Sequence, residues 1–111
     1  MSRRRSVGGV LTKVSGRVED YLLRQMIVDY ESLGRGRVWL IDGSAATSYS
    51  SAALALAIKE FARLGTEGLE EIVAYLTHPL VRMGAQTVSM SLTVARSRLR
   101  IRVVDRPEDF D

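Results

Sequence analysis

Just after Asp42 the chain gathers five serines and threonines within eight positions: Ser44, Thr47, Ser48, Ser50 and Ser51. Three kinds of chemistry suit such residues. A serine just before a helix can cap it, because its oxygen accepts from the amide two or three residues on. A serine can also accept a phosphoryl group, which adds about −1.5 to −2 charge beside the free N–H groups of a helix start. The third use is nucleophilic attack, which needs a base. His78 is the only histidine, so a small hydrolase would have to join Ser44 or Ser51 to His78, with Asp42 as the third member. The chain lacks a Gly-x-Ser-x-Gly elbow and an evident oxyanion hole, and no catalytic residue is assigned. A single histidine without cysteine supplies no metal-ligand set. Neither a Gly-x-Gly-x-x-Gly nor a Walker pattern occurs, so no cofactor is implied.

The elements that must position these hydroxyls belong to a short chain. Its 111 residues suffice for one domain with a core of its own. With no cysteine there is no disulfide framework, which suits a reducing compartment. The opening "MSRRRSVGG" is basic but leads into no apolar segment, so it is not expected to be a secretory signal. The longest uncharged run, Gly43 to Ile58, falls short of a membrane span and is rich in serine. The expectation is a soluble, cytoplasmic protein with a basic flexible tail over 1–7, a domain over 8–106 and an acidic tail over 107–111.

Apolar periodicity sets the element order. "GGVLTKV" (Gly8 to Val14) alternates as a strand does, and Ser15 and Gly16 suggest a turn. Val18, Leu22, Met26, Tyr30 and Leu33 recur at helical spacing, with Glu19 and Asp20 in the first turn and Gly34 at the end. "RVWLID" (Arg37 to Asp42) is a short apolar run behind a Gly-Arg-Gly turn, hence a buried strand ending at Asp42. Ala52 to Leu64 is helical, with Leu54, Ile58, Phe61 and Leu64 on one side. "EIVAYL" (Glu71 to Leu76) is another buried strand. Pro79 suits the first position of a third helix, capped by Thr77 or His78, although Gly84, Thr87 and Val88 weaken helix propensity there. "SRLRIRVVD" closes the chain with Leu99, Ile101 and Val103 opposite Arg98, Arg100 and Arg102. The fold class is α/β, in the order β-α-β-α-β-α-β. Such alternation implies a four-stranded, mostly parallel sheet with helices mainly on one face. The hydroxyl-rich segment Gly43 to Ala53 is then a loop at the edge where ligands and partners of such sheets gather.

Charge narrows the partners only slightly. The formal net charge is +3, and fourteen of the sixteen basic residues are arginine. Arg98, Arg100 and Arg102 would project about 6–7 Å apart along a strand. No aromatic residues lie between them to stack on bases, so nucleic acid is disfavoured against a charged, protective sheet edge.

The run "GVLTKVSGRV", a helix, "RVWLIDGSAATSYSSAALALAIKEF", "IVAYL" and "PLVRMGA" resembles the STAS domain, the fold of bacterial anti-sigma-factor antagonists and of sulfate-transporter tails. The likeness covers about Gly8 to Val104. In that family a strand of the type Leu-Asp-Leu-Ser leads into Asp-Ser-Ser-Gly-Leu or Asp-Ser-Thr-Gly-Leu at a helix start, and a partner kinase phosphorylates the first serine of the latter motif. Aligned without a gap, Asp42 and Ser44 match the strand, Thr47 a threonine common in the loop, Ser51 the phosphoacceptor and Leu54 the leucine behind it. Ser50 stands in place of the motif aspartate, Ala52 in place of the second hydroxyl residue and Ala53 in place of the glycine.

What the resemblance implies is a non-enzymatic signalling module that binds a protein partner, by analogy an anti-sigma kinase. The contact residues would be Asp42, Ser44, Thr47, Ser48, Tyr49, Ala52 and Ala53. Ser51 is the phosphorylation candidate, with Ser50 second. The alternative is a divergent STAS-like module without a phosphoswitch, which forms a homodimer or binds a small apolar ligand between helix and sheet.

Overall fold

A computed structural model describes residues 10–33 and 36–110. The basic segment 1–7, Gly34 and Arg35 lie outside the described residues. In chain order come β1 (Val10–Val18), α1 (Asp20–Ser32), β2 (Val38–Tyr49), α2 (Ser51–Thr66), β3 (Glu71–Leu76), α3 (Pro79–Val94) and β4 (Arg100–Val104). A 3-10 turn, Pro107–Phe110, follows and lies against β3 and β4, in the segment whose composition suggests an acidic tail. All strands are parallel and stand in the order β1-β2-β3-β4. Each helix therefore carries the chain one strand further in the same direction. Crossovers of one hand put every helix on the same side of the sheet, and α1 packs on α2, which packs on α3.

Strand alternation sorts the core into two parts. Trp39, Ile41, Ile72 and Ile101 face the helices and meet Met26, Tyr30, Phe61, Leu64, Val88 and Leu92. Leu40, Val73 and Val104 point to the opposite face, with Leu11, Val38 and Tyr75 around them. On that second face Arg102 bonds Glu71 at 3.4 Å, across the register that pairs Glu71 with Arg100. The arginines of β4 thus charge an edge strand, which discourages another chain from adding to it. No helix among the described residues is long and apolar enough to cross a membrane.

Trp39 is the best-buried large side chain, at 0 % exposure. It stacks on Tyr30 of α1 with ring centroids 4.7 Å apart and meets Phe61 of α2 edge-on at 5.8 Å. Both polar handles are satisfied: the indole N–H donates to Thr12 Oγ1 at 2.9 Å, and the Tyr30 hydroxyl donates to the Gly36 carbonyl at 2.6 Å. At the surface Arg63 of α2 donates to Glu60, Glu67 and, across to α1, Glu31. The hydrogen bond it donates to Glu60 leads in raising its pKa above the ordinary arginine value, against burial, which lowers it. Solvent screening limits each such pair to about 1 kcal/mol or less.

The boundaries that differ most from the sequence expectation are the end of β1, with it the start of α1 (Asp20 and not Val18, with Glu19 as N-cap), and the end of β2. β1 does not turn at Ser15 and Gly16 but runs to Val18, with Gly16 at φ +70° inside the strand. β2 does not end at Asp42 but runs seven residues further, to Tyr49. The segment expected to be a loop is for the most part strand.

Replacing Thr12 by valine keeps its shape and removes the acceptor of the Trp39 N–H. The unpaired buried donor should lower unfolding free energy by about 1–3 kcal/mol. Urea titration followed by the fluorescence of Trp39, the sole tryptophan, measures that loss.

Candidate functional site

The added length of β2 makes the site. β3 pairs with β2 only as far as Gly43↔Leu76, whereas β1 keeps pairing through Ser15↔Ala45, Gly16↔Ala46, Arg17↔Ser48 and Val18↔Tyr49. Twice the register slips by one residue, between Lys13 and Ser15 and between Gly16 and Arg17, with the extra residue on β2 each time. Each bulge shifts the alternation by one. The helix-facing series Trp39, Ile41, Gly43 therefore continues as Ala46 and Tyr49, in steps of three. Beyond the end of β3, the two strands project as a ribbon whose final rung is the Ser50 amide donating to the Val18 carbonyl at 3.0 Å.

Side-chain hydrogen bonds fix this corner. Asp42 Oδ1 accepts from the Ser44 amide at 3.1 Å and the Ser44 hydroxyl at 2.7 Å. Thr77 donates its hydroxyl to the Ser44 carbonyl at 2.9 Å, tying the first bulge to the chain that leads into α3. Ser50 is the N-cap of α2: its Oγ accepts from the Ala53 amide at 3.0 Å and its carbonyl from the Leu54 amide at 3.1 Å. Ser51 is the first helical residue and is exposed, as are Thr47, Ala52 and Ala55. No acidic side chain occupies the first turn of α2, so the helix dipole there is unopposed by protein charge.

The seven expected contact residues do not all reach this surface. Thr47 and Ala52 are exposed, while Asp42, Ser44, Ser48 and Tyr49 are half-buried. Ala53 is 3 % exposed and turned into the core, so it cannot touch a visitor to the corner. Of the two phosphorylation candidates, Ser50 is committed to capping and Ser51 is open. The Ser44–His78–Asp42 constellation is not assembled. Ser44 donates to Asp42 instead of to a base, and His78 Nδ1 accepts from the Leu80 amide at 3.2 Å as the N-cap of α3.

Three further features lie around the corner, the first two without weight in the sequence reading and the third where its alternative places a small apolar ligand. Tyr49 lies across Gly84 of α3, where a Cβ would stand 2.6 Å from the ring. Leu80, Met83, Met90 and Val94 form an exposed apolar stripe along α3, with Met90 at 69 % and Val94 at 83 %. Their spacing, and the lack of any charge after Arg82 in that helix, is a signal present in the sequence. The third is an apolar pocket of about 130 Å³, open towards the surface, between the helices and the sheet, reached by Ala53 and Ala57 of α2 and by Gly84 and Ala85 of α3.

Ser50→Ala should cost about 1 kcal/mol by removing the cap, whereas Ser51→Ala should stay within about 0.5 kcal/mol. Gly84→Ala should cost about 1–3 kcal/mol through collision with Tyr49, and adding Tyr49→Ala should recover part of that loss. Chemical denaturation of the single and double variants measures both the losses and the coupling. Compared with known proteins, the chain matches no family model, no curated protein and no solved structure, so the role of the corner has to be inferred from its geometry.

Proposed function

We propose that the chain is a protein-docking module of the STAS type that works in signalling, and that its partner sits on the corner where β2 enters α2. The observation that carries this reading is the state of Ser51. It is the first residue of α2, it is exposed, and its neighbour Ser50 already caps the helix. A phosphoryl group on Ser51 would meet a helix start with no acidic residue in its first turn, so the fold tolerates the charge. The surface around it is another matter. Ala52 and Ala55 are small and neutral, and a bulky anion beside them changes both the shape and the charge that a partner meets.

Leu80 and Met83, exposed on the first turns of α3, supply apolar area that a partner can bury. Each is a little over half exposed, so covering it is worth about 1–1.5 kcal/mol, roughly half the value for a fully exposed side chain. The analogy of an anti-sigma kinase as partner follows from the family resemblance, as does a cytoplasmic site of action. The corner itself asks only for a partner with an apolar patch and no tolerance for a phosphate facing Ser51.

The test pairs phosphorylation with binding. Incubation with ATP and kinases encoded in the same genome, followed by mass spectrometry, should place phosphate on Ser51; a different acceptor residue would count against the corner. For a partner found in this way, calorimetry should show Ser51→Asp binding at least about tenfold more weakly than the wild type while unfolding at the same temperature, and Met83→Ser weakening it by a similar factor. Unchanged affinity in both variants would move the interface elsewhere.

A further inference from the structure

The cavity between α2, α3 and the sheet is a site of a different kind from the docking corner. Its walls are almost wholly carbon, and among the described residues no buried side-chain nitrogen or oxygen lacks a partner. Water that enters it finds almost no polar partner on the walls and is readily displaced by an apolar molecule. The space is kept open by residue size. Ala46 of β2, Ala53 and Ala57 of α2, Ala74 of β3 and Gly84 and Ala85 of α3 all end at Cβ or before it. Larger buried side chains, among them Ile41, Phe61, Ile72 and Val88, line it as well. Towards the outside the lining passes to half-buried Tyr49, Leu54 and Val81, at the first turns of α2 and α3. Tyr49 is held there by Gly84, since a Cβ on that residue would stand 2.6 Å from its ring.

We propose that this cavity is a binding site for one small, uncharged apolar molecule, a hydrocarbon or unsubstituted aromatic of about six to eight non-hydrogen atoms. At about 130 Å³ it has the order of volume, roughly 150 Å³, in which an apolar protein site holds benzene or xenon, and its open side gives such a molecule a way in. Charged and hydrogen-bonding ligands are excluded by the lining, which gives them nothing in exchange for their lost water. The proposal does not depend on the docking function: it rests on volume, lining and the six small residues. Tyr49 nevertheless links the two places, because it lines the cavity and immediately precedes the Ser50 cap.

The test uses the full chain with benzene as probe and methyl-labelled side chains. Titration should give saturable shifts centred on the methyl groups of Ile72, Leu76 and Val88, and the thermal midpoint should rise by about 5 °C at tenfold the half-saturating concentration. Benzoate, which has the same ring and a charge, should give no saturable shift. Ala57→Met fills the space and should abolish the benzene response. If that variant does not fold, Val88→Ala serves instead: it widens the cavity, and the bulkier p-xylene should then give saturable shifts at concentrations at which the wild type shows none. Unsaturable benzene shifts spread over the surface would overturn the proposal, as would benzoate binding at the same methyls or equal p-xylene responses in wild type and Val88→Ala.

Discussion

The stretch of β1–β2 ladder that continues past the end of β3 is the constraint on which the rest of the site depends. Without the rungs from Ser15↔Ala45 to Val18↔Tyr49, the residues before α2 would have no fixed partner for their backbone groups. With them, the Ser50 amide is tied to Val18, and the start of α2 is placed to within a hydrogen bond. Capping, the exposure of Ser51 and the position of Tyr49 over Gly84 all follow from that placement. A loop of the same composition would leave each of them undetermined.

The same ribbon explains where sequence reasoning succeeds and where it stops. β3, from Glu71 to Leu76, is legible because its apolar residues are contiguous and bounded by turn formers. The helical spacing of Leu54, Ile58, Phe61 and Leu64 likewise marks α2. Once those periods are recognised, the alternation of strands and helices leads to a parallel sheet. β2 after Asp42 is not legible in that way. Two bulges interrupt the alternation that identifies a strand, and Gly, Ser and Ala carry little strand preference of their own. Pairing with β1 overrides local preference, and nothing within the segment announces it. Ser15 and Gly16 mislead for a related reason: the pair typical of a turn here serves a strand that needs one left-handed residue, Gly16 at φ +70°, beside the second bulge.

The site residues divide along the same line. That Ser50 or Ser51 would cap a helix follows from residue type, and the structure assigns the cap to Ser50. That Ala53 is buried while Ala52 is exposed depends on the rotation of α2 against the sheet, which serine and alanine do not specify. The contact between Tyr49 and Gly84 joins residues 35 positions apart and leaves no local trace. The weak helix propensity around Gly84 gains a cause from it: a better helix former at that position would not fit under the ring.

The winding of the sheet in one direction has a further consequence, for how the chain assembles. Every strand pairs only with its neighbours in sequence, so no rung must wait for a remote part of the polypeptide. Closing entropy is therefore met in short successive instalments, and the parallel architecture escapes much of the slowness that long-range pairing imposes. A nascent polypeptide leaving the ribosome can lay down one β-α unit after another on the edge already formed. The aromatic cluster of Tyr30, Trp39 and Phe61 is complete before β3 is made, which gives such growth an early seed.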